Sequence, residues 1–457
     1  MARTASVSSD WLTSEKPTGA WAAMHTTLIV KRFAAKLKLR CQQRIDRQNR
    51  VTALVGRASC DSPVSNEEPF LSTESLDVHG HATPPSTIES LAHIIFLSKV
   101  SPLLIFWPIG LAAYVWHWGD VKIFWFNFLA MVPLAKLLGD ATEELAVGIG
   151  SDTVGGLLNA TFGNAVEMIL TIQSLRKGLM SVVKATLLGS IVSNLLLVLG
   201  TSFLVGGFRL KVQAFSIQAA LTNMTMLFLA TCSFALPTIF FGSDEVEKYS
   251  SDDGHDDLTL QVSRYCSIWI LCSYVAFLVF QLYTHIEVFQ SEADEDEEKG
   301  SPALRLPVAL VFLIITTVLV AVSSECLVGS IDGLAHEANI GEVFIGIILL
   351  PIVGNACEHA GAVNFAIEDR IDITIGIAVG SATQIALFVA PFTVLVGWVM
   401  GQPMDLNFGT LNTGVMVTSV AIAFSVLTDG TSNWLEGFML MIAYFVIATL
   451  YWFYPSG

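Results

Sequence analysis

Eleven apolar stretches follow one another along this 457-residue chain. Each is close to the ~20 residues a helix needs to cross a hydrocarbon core. They lie near 102–118, 123–139, 154–175, 181–206, 215–240, 264–285, 304–323, 343–366, 373–399, 411–428 and 433–453. In lipid, every backbone N–H and C=O must find its partner inside the protein, so such stretches fold as helices. The sequence therefore predicts an all-α polytopic membrane protein with eleven transmembrane helices. Composition agrees: only 14% of residues are charged, against about 25% in ordinary soluble domains. Trp107, Trp116, Trp118, Trp125, Trp398, Trp434 and Trp452 fall near segment ends, where indole rings sit in the interface. Residues 91–100 read as an interfacial lead-in.

The remaining chain is polar. Residues 1–90 read as a disordered cytosolic arm. Within it Lys31, Arg32, Lys36, Lys38, Arg40, Arg44, Arg47, Arg50 and Arg57 form a basic block with interleaved apolar residues. Such a block biases the N-terminus to the cytosol and could meet anionic lipid or a regulatory protein. Two loops are strongly acidic. Residues 242–262 hold seven acids, and 286–303 carry Glu292, Asp294, Glu295, Asp296, Glu297 and Glu298. The second tract reads as a solvated linker or a low-affinity collector of divalent cations near a pore mouth; it has no EF-hand spacing. The net charge of −16 excludes a nucleic-acid binder. The seven cysteines are scattered, with neither a disulfide framework nor metal-binding spacing, and no cofactor is implied.

One pentapeptide is written twice inside the apolar segments: Gly163-Asn164-Ala165-Val166-Glu167 and Gly354-Asn355-Ala356-Cys357-Glu358. A charged residue at mid-membrane costs about 2.5–3.5 kcal/mol on insertion scales, so a carboxylate placed there twice points to function. Gly189-Ser190 follows Glu167 at the same separation at which Gly380-Ser381 follows Glu358. Blocks kept in register across a helix–loop–helix mark an internal repeat. The copies occupy the third and eighth segments, so the second enters the membrane from the opposite side. Inverted repeats of this kind build midplane sites with two alternate accesses. The plan is one leading helix plus two inverted five-helix repeats, with domains at 1–90, 91–285, 286–303 and 304–457.

On a helix Asn164 and Glu167 share a face, as do Asn355 and Glu358. Ser190 is spaced to join Ser193 and Asn194, and Ser381 to join Gln384. Carboxylates, amide oxygens, hydroxyls and carbonyls freed near Gly163, Pro351 and Gly354 make an all-oxygen set suited to Ca²⁺. Two carboxylates neutralise one divalent ion. When it leaves, protons can take its place on the same pair, which is the logic of antiport. His359, beside Glu358, is a candidate proton relay or a helix–helix hydrogen bonder. Helix packing alone does not require ionisable groups duplicated in register. A channel is disfavoured because the repeat supplies the site within one chain. A metallohydrolase is disfavoured because Cys357-Glu358-His359-Ala360 offers no HExxH set.

These motifs, with Asp140-Ala141-Thr142-Glu143-Glu144-Leu145-Ala146, Gly155 to Phe162 and Ser432-Asn433-Trp434-Leu435-Glu436-Gly437, resemble the vacuolar cation/proton exchangers, the CAX group of the Ca²⁺:cation antiporter superfamily. The resemblance covers residues 95–455. It implies eleven helices, an acidic helix after the sixth, and exchange of cytosolic Ca²⁺ for H⁺ across the membrane of a vacuole or another acidic organelle. It makes Glu167 and Glu358 the ion and proton carriers. Asn164, Asn355, Ser190, Ser381 and Gln384 complete their shell. The protein is then a transporter and not an enzyme, with a sodium-coupled exchanger of the same superfamily as the near alternative. Cys357 stands where relatives commonly have Ala, and Glu368-Asp369 in a loop often more basic.

Overall fold

The computed structural model describes residues 87–96, 98–242, 256–289 and 303–455. The basic block and the Glu292–Glu298 tract lie outside the described residues, as does most of the 242–262 loop.

The helices run in chain order. A short helix α1 (Thr87–Phe96) and a 3₁₀ turn (Ser101–Ile105) lead into α2 (Phe106–Val115). The first repeat comprises α3 (Asp120–Ile149), α4 (Asp152–Phe162), α5 (Ala165–Arg176), α6 (Met180–Arg209), α7 (Ile217–Phe241) and α8 (Leu258–Thr284). The second comprises α9 (Leu306–Gly329), the small α10 (Ile331–Ala338), α11 (Glu342–Gly354), α12 (Ala356–Ile367), α13 (Ile371–Val399), α14 (Thr410–Leu427) and α15 (Trp434–Trp452).

Among the described residues eight helices are long and apolar enough to cross a membrane, or ten if each of two sharply bent pairs counts as one span. The count of eleven is not reached on that measure. The segment that falls short is 152–176. It is broken at Gly163-Asn164 into halves of 11 and 12 residues, with Asn159, Asn164, Glu167 and Gln173 lowering its hydropathy.

Superposing Glu167 on Glu358 aligns the two repeats without a gap from residue 151 to residue 209, and the backbone follows. The tight turns after α5 and α12 each place a residue in the left-handed region, Gly178 (φ 76) and Asp369 (φ 66). The α6 helix widens to π geometry over Ser193–Val198, and α13 does so over Ile385–Val389. Packing has the matching symmetry. The equivalent helices α3 and α9 pack on each other, as do α7 and α14, while α6 with α15 mirrors α13 with α8.

Buried side chains form two main clusters. One is built on α3, α5 and α9, and the larger on α6, α7, α13, α14 and α15. Exposed large apolar residues such as Leu236, Trp269, Ile314 and Val446 face outward, as lipid contact requires. A two-stranded antiparallel pair, β1 (Gln213–Ala214) with β2 (Thr431–Ser432), ties the loop after α6 to the loop after α14. Those loops therefore share one face of the protein. On the opposite face Lys184 reaches Asp405 Oδ1 and the Asn407 carbonyl, both at 2.8 Å.

Candidate functional site: paired glutamates at mid-depth

Both pentapeptides sit at helix breaks. Gly163 ends α4 and Asn164 precedes α5; Gly354 ends α11 and Asn355 precedes α12, with a 57° bend between the latter pair. Asn164 (φ −104, ψ 24) and Asn355 (φ −87, ψ 8) adopt nearly the same non-helical backbone. Each is thus an N-cap residue, and each Glu stands three positions on, in a first turn whose dipole favours negative charge.

An N-cap Asn normally turns its side chain back onto the amides of its own helix. Neither of these does; both are spent across the repeat interface. Asn164 Nδ2 donates to Gln384 Oε1 at 2.7 Å, and Ser381 Oγ donates to Asn164 Oδ1 at 3.1 Å. Asn194 Nδ2 donates to Ser381 Oγ at 3.1 Å, and Asn355 Nδ2 donates to the Ser190 carbonyl at 3.4 Å. The structure therefore brings Asn164, Asn355, Ser190, Ser381 and Gln384 together. The π turns begin at Ser193 and Ile385, about one helical turn after Ser190 and Ser381, where one extra residue in a turn re-aims the following side chains.

The glutamates occupy different surroundings. Glu167 is 3% exposed, and its carboxylate rests on Gly354, where an added methyl would come within 2.6 Å of Oε1. Glu358 faces Ser381 and Asn194 and lines a cavity of about 1010 Å³. The cavity walls run from Gly163, Glu358, Gly380 and Gln384 at mid-depth to Ser216, Glu287, Asp369 and Asp372 at the mouth. All of these mouth residues lie on the β1–β2 face, so access is one-sided.

Four buried oxygens at the site have no hydrogen-bond partner: Ser190 Oγ, Asn194 Oδ1, Asn355 Oδ1 and Glu358 Oε2. Leaving a buried polar atom unpaired costs about 1–3 kcal/mol. Several acceptors orphaned at one site are what a hard cation would satisfy, and two carboxylates supply the matching charge.

His359 points elsewhere. Its Nε2 lies 2.7 Å from Thr201 Oγ1, tying α12 to α6 one residue from Glu358. Two features escape a reading of the motifs. Asn223 on α7 is 5% exposed, lines the cavity and keeps an unpartnered Oδ1. Its only sequence signal is an amide in an apolar segment outside the repeated blocks. Cys357 also lines the cavity, which its place in the pentapeptide suggested only by adjacency.

A helical membrane protein whose two inverted halves each bring an Asn–Glu pair to one mid-depth site has the build of a secondary transporter. The sodium/calcium exchanger protein family matches residues 121–283 and 308–453, one stretch for each repeat, and the chain belongs to that family. It is 40% identical over 365 residues to a vacuolar calcium ion transporter of Schizosaccharomyces pombe, covering 79% of this chain and 87% of that one. It is 43% identical over 366 residues to a Ca²⁺/H⁺ antiporter of Aphanothece halophytica, covering 77% and 96%. The solved structure of native YfkE superposes with a TM-score of 0.65 at 34% identity, covering 78% of this chain and 99% of the other. A solved H⁺/Ca²⁺ exchanger CAX shares the fold, with a TM-score of 0.59 at 15% identity, over 80% of this chain and 91% of that one.

Proposed function

We propose that the protein exchanges cytosolic Ca²⁺ for H⁺ across the membrane of a vacuole or another acidic organelle, by alternating access to the Glu167–Glu358 site. The observation that carries this reading is the pairing of two inverted-repeat carboxylates with orphaned buried oxygens, with one of the two, Glu358, lining the cavity. The vacuolar and Ca²⁺/H⁺ relatives support the choice of ions and of membrane.

Glu167 and Glu358 bind the divalent ion when ionised and carry protons when it leaves. Asn355, Ser190 and Asn194 offer oxygens to the ion. Ser381, Asn164 and Gln384 hold the two repeats in register around it and lend further oxygens as the shell rearranges. His359, whose Nε2 lies 2.7 Å from Thr201 Oγ1, acts as the helix–helix hydrogen bonder of the two roles its sequence position offered, tying α12 to α6 beside Glu358. With the N-terminal arm cytosolic, the cavity opens to the cytosol, and Glu287, Asp369 and Asp372 at its mouth continue the negative field of the Glu292–Glu298 tract. That tract gathers cations before they enter. The basic block of the N-terminal arm meets anionic lipid or a regulatory protein.

The test is uptake into sealed, acid-loaded vesicles. Ca²⁺ should accumulate only while a pH gradient persists, and external Na⁺ should neither drive nor replace it. Uptake driven by a Na⁺ gradient without a pH gradient would make the protein a sodium-coupled exchanger. Competition by Mn²⁺, Mg²⁺ and Cd²⁺ in the same vesicles ranks the divalent ions.

A further inference from the structure

The two repeats match residue for residue around the site, yet they are packed differently. On the closed side α11 lies along α6. A methyl at Gly346 would meet Ala185 Cβ at 2.6 Å, and one at Gly189 would collide with the Ile347 carbonyl and come within 2.6 Å of Pro351 Cγ. No side chain larger than hydrogen fits Gly189 while this contact stands.

The gapless alignment names the equivalents on the other side. Gly346 corresponds to Gly155, Ala185 to Gly376, Ile347 to Gly156 and Gly189 to Gly380. Here the contact is missing. Gly376 and Gly380 line the cavity, and a methyl on either would meet nothing within 4 Å. Their opposite numbers on α4 lean elsewhere: Gly156 abuts the tip of Leu282 on α8, and Gly155 has ordinary contact with Ala146 on α3. The chain thus keeps glycine on both faces of a gap that the present state does not use. A glycine lining open space is costly in conformational entropy and earns no packing here.

We propose that α4 closes onto α13 in the opposite state, Gly155 meeting Gly376 and Gly156 meeting Gly380, as α11 now meets α6 through Gly346–Ala185 and Ile347–Gly189. Closure seals the vestibule over Glu358 while the α11–α6 contact parts on the far side. The proposal rests on alternating access at this site, but not on which ions move. Two packings of nearly equal free energy, exchanged between inverted halves, form a bistable element that a bound ion can bias.

The signature is that equivalent glycines respond in opposite senses. Gly380→Leu branches from a Cβ that meets nothing within 4 Å and opens onto the cavity in the present state, and is excluded from the other. Gly189→Ala is excluded from the present state and tolerated in the other. In a cysteine-free chain, Gln281→Cys on the cavity wall reports access when treated in vesicles with a membrane-impermeant thiol reagent. Gly380→Leu should abolish transport and leave Gln281→Cys labelled under all ion conditions. Gly189→Ala should slow that labelling at least about tenfold through a shift in population. Transport by Gly380→Leu above half the parent rate, or unchanged labelling in Gly189→Ala, would overturn the proposal. Should either variant fail to insert, the pair Val154→Cys with Ile373→Cys decides it, because these positions flank the seam, leave its glycines intact, and correspond to Ile345 and Val182, which share one buried cluster on the closed side. A short bifunctional thiol reagent should bridge the two during turnover, and absence of bridging in a transporting chain would refute the closure. Labelling and bridging are read without reference to Ca²⁺ or H⁺, so a wrong choice of ions would leave both results standing.

Discussion

Asn164 Nδ2 donates to Gln384 Oε1 at 2.7 Å, joining the break of α5 in one repeat to the π-widened helix α13 of the other. With Ser381 Oγ donating to Asn164 Oδ1 at 3.1 Å, one amide latches the halves together beside the carboxylates. Asn164→Ala should leave the buried Ser381 hydroxyl without its acceptor and the half-buried Gln384 without its donor, at a cost of about 1–3 kcal/mol in stability. Combined with Gln384→Ala, the loss should be smaller than the sum of the single losses. Thermal unfolding of the purified single and double variants measures this, and strict additivity would mean the bond carries no coupling.

Glu167→Gln and Glu358→Gln should each abolish pH-driven Ca²⁺ uptake while the protein still inserts and elutes as the parent does. Gln keeps the shape but cannot hold a proton in exchange for a cation. Robust uptake by either variant would remove that carboxylate from the mechanism.

Ca²⁺ binding should weaken as pH falls on the cavity side, because protons and the ion compete for the same ionised oxygens. Where both carboxylates titrate, the apparent affinity should drop by up to about a hundredfold per pH unit, one factor of ten for each proton displaced. With Glu358→Gln only one proton remains, and the dependence should fall to at most about tenfold. Binding isotherms of detergent-purified protein across pH read both slopes.

Gly354→Ala places a methyl within 2.6 Å of Glu167 Oε1. Overpacking of this kind costs about 1–3 kcal/mol. The carboxylate is the group that can yield, so apparent Ca²⁺ affinity should fall roughly tenfold for each 1.4 kcal/mol transmitted to the site. An unaltered uptake curve would show that Glu167 finds a second position of equal quality.

Cys357 lines the cavity and should react with a membrane-impermeant thiol reagent faster from the β1–β2 face than from the other. In a chain whose other cysteines are replaced, labelling there should block transport, and saturating Ca²⁺ should slow it. Cys357→Ala should make transport resistant to the reagent. Labelling from the opposite face with equal speed would contradict the one-sided access.

The repeated pentapeptide and its Gly-Ser followers determined a great deal without coordinates. Their register marks an inverted repeat, and the cost of a carboxylate in lipid singles out Glu167 and Glu358 as candidates for function. Both are legible because hydropathy, helical spacing and internal identity are local properties of the chain; the repeat is seen in the fold, and the role of the two glutamates is the reading that the Glu167→Gln and Glu358→Gln variants test. The number of spans was less legible, since 152–176 breaks at Gly163-Asn164 and neither half alone spans a bilayer.

What needed the tertiary structure is everything decided across the repeat interface. Spacing puts Asn164 beside Glu167, but only packing shows its amide spent on Gln384 and Ser381 from the other half. Spacing makes Glu167 and Glu358 equivalents, yet the fold seats one on Gly354 and opens the other to a cavity. The same holds for Gly189 and Gly380, identical in sequence context, one crushed against Ile347 and the other facing open space. A symmetric sequence cannot name its own conformation. The asymmetry belongs to the packed state, because two helices that pack tightly on one side of a shared site leave no room to do so on the other.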